Sequence, residues 1–117
     1  MKELLQRYFS AFEKKDIATL RHLFTEEVTL EDPFVKKVKG HAAVLACYRD
    51  IFEKSERLHF HRLDMVEARD NMAFCEFDLE MKPHHAPSVR IVGVDIFRFE
   101  GEKICELRAY LDTHGLR

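Results

Sequence analysis

The sequence predicts an α+β domain in which a curved antiparallel sheet wraps around three N-terminal helices. Two observations carry this. Apolar residues recur at helical spacing through the first half of the chain, and from Leu58 onward the period changes to two. Helices with one apolar stripe need a surface to bury it on, and strands that follow a run of helices supply that surface as a second layer. At 117 residues the chain holds one such domain, 1–117.

Leu4, Leu5, Tyr8, Phe9 and Phe12 recur at helical spacing, with Lys2, Glu3, Arg7, Glu13 and Lys14 largely opposite, which predicts a helix over 2–15 with Tyr8 turned inward. Asp16 is placed to cap a second helix ending at Leu23, whose stripe is Ile17, Leu20, Leu23 and Phe24. A short apolar strand, Val28 to Leu30, then stops at Asp32-Pro33. Pro33 fixes its own φ and pushes Asp32 toward an extended conformation, so the carboxylate is held in one direction beside apolar neighbours. That makes Asp32 a candidate general base; the plain alternative is an Asx turn closing the strand. A basic loop, Lys36 to Lys39, ends at Gly40 and leads into a third helix over about 41–53, with Tyr48 on its apolar face among Val44, Cys47, Ile51 and Phe52.

Sheet fills the rest. Residues 72–81 alternate, with Ala73, Cys75, Phe77, Leu79 and Met81 on one face and Glu76, Asp78 and Glu80 on the other. Lys82 to Pro87 is a connection, 88–100 a long strand, and Gly101-Glu102-Lys103 turns into a last strand over about 104–112. On the long strand Asp95 shares a face with Val89, Ile91, Gly93, Phe97 and Phe99. An ionised carboxylate without a partner costs several kcal/mol in such surroundings, so the group keeps its proton and becomes a donor. An arginine inside the sheet, with Arg108 nearest in sequence, is the competing partner. The opposite face, Val92, Val94 and Ile96, is also apolar, which predicts a homodimer through the sheet.

Composition excludes several classes. A net charge of -2, a pI near 6.4 and scattered Lys and Arg give no nucleic-acid footprint. No apolar run approaches the roughly 20 residues of a membrane span, and the N-terminus has no secretory pattern, so a cytoplasmic protein is expected. Cys47, Cys75 and Cys105 lack paired spacing and read as reduced thiols. His59 and His61 share a strand face, and with His84 and His85 they are a metal alternative, weakened by the lack of matched acidic ligands.

Four segments carry a resemblance: Gln6-Arg7-Tyr8, Val28-Thr29-Leu30-Glu31-Asp32-Pro33, Gly40-His41-Ala42-Ala43 through Tyr48, and Asp95-Ile96-Phe97-Arg98-Phe99 followed by Arg108-Ala109. In these the chain resembles the nuclear-transport-factor-2-like (SnoaL-like) superfamily and, within it, the bacterial ketosteroid isomerases (steroid delta-isomerases). The resemblance implies a cone-shaped fold with a deep apolar pocket, usually dimeric through the sheet. It implies Asp32 as base, Tyr8 and protonated Asp95 as oxyanion donors, Tyr48 as the hydroxyl that holds Tyr8, and no metal or organic cofactor. Phe12, Phe34, Phe97, Ala109 and Leu111 are the expected pocket wall, for a small, hydrophobic, steroid-like carbonyl compound. Leu111 stands where these isomerases place a large aromatic ring and Asp112 where glycine is expected, which reshapes the floor or rim. The same superfamily also holds polyketide cyclases, which act on enolates, and proteins that only bind small hydrophobic ligands; these are the alternative readings.

Overall fold

The computed structural model describes residues 1–112. Helix α1, Lys2–Glu13, buries Leu4, Leu5, Tyr8, Phe9, Ala11 and Phe12 on one face, as the spacing predicts, and ends two residues early. Lys15 is the reason. It takes a left-handed conformation, φ 56°, and its Nζ donates to the carbonyls of Ser55 and Glu56, so α1 is closed off and tied to the sheet. Asp16 caps α2, Ile17–Leu23, accepting from the Thr19 amide at 3.0 Å and the Thr19 hydroxyl at 2.6 Å.

Strand β1, Phe24–Glu31, starts earlier than the apolar run predicts, because backbone pairing with the last strand extends past the polar Thr25-Glu26-Glu27. The basic loop contains a two-residue strand β2, Val38–Lys39, and α3 runs His41–Lys54. Strand β3, Ser55–Glu67, follows α3 directly; β4, Met72–Pro83, β5, Val89–Glu100, and β6, Lys103–Asp112, are the remaining elements of the described residues.

All six strands form one sheet, ordered β2-β1-β6-β5-β4-β3. The all-antiparallel expectation needs one correction: β1 and β6 pair in parallel. The chain crosses by α3 to the far edge and returns as a meander of hairpins, which lands β6 beside β1 running the same way. The sheet is long, curved and unclosed. An extra residue at His61 breaks the β3–β4 register between Phe60 and Arg62, bending the edge over α1. Its concave face, with Phe77, Leu79, Ile91, Phe97 and Leu107, packs on the helices.

Between the layers lies a cluster of rings. Tyr8 has Phe9, Phe12, Phe24, Tyr48 and Phe97 with centroids at 5.0–6.4 Å, and all six are buried. Such clusters gain edge-to-face contacts beyond simple area burial.

Candidate active site

Tyr8 and Tyr48 come from facing helices, each 3% exposed. Two buried hydroxyls need partners, and here they supply each other: the oxygens are 2.7 Å apart. Burial is the main cause that pushes both hydroxyls above their ordinary range, with the negative charge of Asp95 adding to each. Both are therefore held as neutral donors.

Asp95 lies on the inner face of β5, between Cys75 of β4 and Ala109 of β6 in register. It is 8% exposed. Burial, and secondly the Asp32 charge, push its carboxyl from 3.8 up to about 8. Among the described residues Arg108, the competing partner, does not pair with Asp95. Arg108 pairs with Ile96 on the outer face, with its Nε 3.0 Å from Glu106 Oε2 and an Nη donating to the Tyr110 hydroxyl at 3.2 Å.

At Asp32 both readings meet. The Asx turn is real: Asp32 Oδ1 accepts from the Phe34 amide at 2.8 Å and the Val35 amide at 2.6 Å, and the Asp32 amide donates to the Val35 carbonyl at 3.0 Å. The turn uses one carboxylate oxygen and leaves Oδ2 outside it. The residue is half-buried, and its charge raises Asp95, Tyr48 and Cys47. A turn that fixes a carboxylate whose charge is felt by a buried acid and by one of the paired phenols is also a way of building a site.

With the fold and this constellation in hand, the sequence profile of the SnoaL-like domain matches residues 5–107. The chain belongs to the SnoaL-like domain family. Solved structures superpose over nearly all of this SnoaL-like domain. A candidate polyketide cyclase from Xanthomonas campestris pv. campestris is similar with a TM-score of 0.84 at 16% identity, over 95% of this chain and 89% of that one. A LEH-like epoxide hydrolase from M. tuberculosis gives 0.80 at 14% identity, over 97% and 83%. A protein with a ketosteroid isomerase-like fold from Catenulispora acidiphila DSM 44928, in complex with trimethylamine, gives 0.85 at 16% identity, over 97% and 88%. Identities this low show a common fold alone. No curated protein matches the chain.

The expected wall of the SnoaL-like pocket is only partly assembled. Phe97 and Phe12 are buried against Tyr8, and Ala109 and Leu111 line the inner face of β6 beside Asp95. Phe34 is not part of the wall as folded: its ring is 63% exposed, because the Asx turn carries it outward. Rings pack closely around Tyr8, and the described surface depressions, of about 500, 500 and 560 Å³, lie away from Tyr8, Asp32, Tyr48 and Asp95.

His59 and His61 make surface pairs. His59 Nδ1 is 3.3 Å from Glu13 and His61 Nε2 is 2.6 Å from Glu80, with the rings 4.7 Å apart. His84 and His85 lie in the β4–β5 connection, and among the described residues no group of three or more His, Cys, Asp or Glu is placed to hold a metal. Two residues gain a neighbour that the sequence reading did not give them. Cys75 faces Asp95 across the hairpin, its thiol pushed up to about 12 by burial first and then by Asp95, and Gly93 accommodates Leu111. Only the strand register reveals them; the alternation of β4 and β5 was the available signal.

Proposed function

We propose that this domain is an enolate-handling enzyme that moves a β,γ double bond into conjugation with a ketone, as a ketosteroid isomerase-like isomerase. Asp32 Oδ2 takes a proton from the α carbon, and the C–H electrons pass into the carbonyl to give a dienolate. The same carboxyl returns the proton at the γ carbon, which a single base can do on one face of a flat substrate. Tyr8 and neutral Asp95 donate to the dienolate oxygen from a dry site, and Tyr48 holds Tyr8 in place. The roles need no metal or organic cofactor. A homodimer covering the outer sheet face, in a reducing cytoplasm that keeps the three thiols free, completes the proposal.

One observation carries the reading: a buried acid held neutral up to about 8 beside a paired phenol, with a carboxylate whose charge reaches both. A structural acid would have paired with arginine, and here the nearest one has turned away. A polyketide-type cyclase is the second reading. It is supported by structural neighbours described as candidate polyketide cyclases, and it would use the same enolate groups.

The test follows the ultraviolet absorbance of the conjugated enone formed from β,γ-unsaturated ketones, a 3-ketosteroid and cyclohex-3-en-1-one, with wild type and Asp32→Asn. Turnover that collapses in the variant is the expected result. A folded wild type that turns over neither ketone rejects the isomerase.

A further inference from the structure

Asp95 is buried without a hydrogen bond. It is 8% exposed, and among the described residues no amide or side chain donates to its carboxyl. The register shows what flanks it instead. Cys75 of β4 and Ala109 of β6 lie directly opposite on its two sides, so their side chains share its face of the sheet. Ala109 offers no polar atom. Cys75 is wholly buried, and its thiol, a weak donor at best, is turned to the Glu76 carbonyl at 3.8 Å. The other titratable groups around the acid are Tyr8 of α1, Tyr48 of α3 and Asp32 of the β1–β2 turn. The two phenols are bonded to each other at 2.7 Å, and Asp32 brings a charge of the same sign as an ionised Asp95.

From this arrangement we infer that Cys75 is the positioning residue that keeps Asp95 in its protonated, donating form, by filling the cross-strand place from which a hydroxyl would donate to the carboxylate. The inference rests on the enolate reading for what the proton does and adds which residue secures it. Opposite residues on one face of an antiparallel pair have Cβ atoms about 4.5–5.5 Å apart, so a hydroxyl on the Cβ at this position comes within reach of the carboxyl. A bond made to the ionised form favours that form, against the effect of burial. Serine has nearly the shape of cysteine and a strong donor in place of a weak one, whereas alanine removes the donor altogether. The two substitutions therefore separate hydrogen bonding from packing.

The proton is followed by carbon-13 NMR of the Asp95 carboxyl, assigned with Asp95→Asn, since this needs neither ligand nor turnover. Wild type should titrate at about 8. Cys75→Ser should lower that midpoint by at least about one pH unit, a tenfold loss of proton affinity, and Cys75→Ala should leave it within about 0.3 unit. Circular dichroism checks each fold; if Cys75→Ser does not fold, Ala109→Ser places a hydroxyl on the opposite flank and carries the same expectation and the same refutation. A midpoint unmoved by the added hydroxyl, or lowered as far by alanine as by serine, overturns the role of Cys75. So does a wild-type midpoint near the ordinary 3.8. The ketone assay keeps the two readings apart: the serine shift without any ketone turnover by wild type leaves Cys75 its role and removes the isomerase, whereas turnover with an unmoved midpoint does the opposite. Where both hold, the alkaline limb of kcat moves down with the midpoint in Cys75→Ser, which a residue serving packing alone would not cause.

Discussion

Asp95 couples the site to the stability of the whole domain. A carboxyl whose pKa rises from 3.8 to about 8 on folding holds a proton that the unfolded chain has already released anywhere between those values. Stability therefore falls as pH rises across that window, at up to about 1.4 kcal/mol per pH unit, and the loss is complete above the folded value. Asp95→Asn removes the slope, so its thermal midpoint should exceed that of wild type by a margin that widens from pH 4 to pH 8; a margin constant with pH would mean that Asp95 is not buried as an acid. In the isomerase reading, wild-type activity also declines above about pH 8 as the donor ionises. The amide variant keeps a donor and loses that alkaline limb. Tyr8→Phe acts differently. It removes one oxyanion donor, for an expected loss of about 100- to 1000-fold in kcat, and leaves the Tyr48 hydroxyl buried without its 2.7 Å partner, for about 1–3 kcal/mol in chemical denaturation. A kcat within a few-fold of wild type would confine Tyr8 to packing. The proposed catalytic residues stand out at this scale because each breaks a local pattern: an acid in an apolar strand face, an acid before proline, tyrosines inside helical stripes. The direction of Phe34 is set by the Asx turn that Asp32 closes on the Phe34 and Val35 amides, and the sequence leaves open whether that turn forms.

Among the elements, the helices and the long strands follow from periodicity, and their ends follow from specific devices that a sequence shows only in part. Asp16 was readable as a cap, whereas the arrest of α1 by a left-handed Lys15 reaching across to β3 was not. Pairing is the larger gap. Alternation tells which residues share a face and says nothing of which residue lies opposite, so the neighbours of Asp95 and the parallel β1–β6 pair appear only with the register. Gly93 shows what the register enforces. Any side chain there meets the Tyr110 carbonyl at 2.4 Å, which is backbone and cannot swing aside, so β5 and β6 must separate to admit it. Gly93→Ala should cost about 1–3 kcal/mol, and hydrogen exchange should show the loss concentrated in β5 and β6. Uniform protection equal to wild type would mean that the strands flex around the methyl.

The outer face of the sheet poses a question for the molecule as a whole. Along the strands its acids and bases already answer one another: Arg90 grips Asp78 through two bonds of 2.6 and 2.8 Å, Arg62 bridges Asp64 and Glu76, and Arg98 and Arg108 both reach Glu106. Between them the apolar side chains have no cover, with Val92 44%, Phe74 36% and Tyr110 58% exposed on adjoining strands. Pairs of this kind on an exposed surface add little to the stability of one chain, but they leave few unmatched charges to strip of water when a second surface arrives. A second copy brings the same apolar strip and the same internally matched charges, so a two-fold contact is self-complementary. Sedimentation should accordingly give twice the 13.9 kDa chain mass. Val92→Glu, at a position already half open to water, should leave each domain folded and place unpaired carboxylates in the contact, giving a single-chain mass at micromolar concentration. Wild type sedimenting as one chain, or Val92→Glu remaining double, removes the sheet-to-sheet dimer. Because Asp95 lies on the same strand as Val92, facing the other way, a dimer would also brace the acid's strand from behind, and its loss should loosen the site before it unfolds the domain.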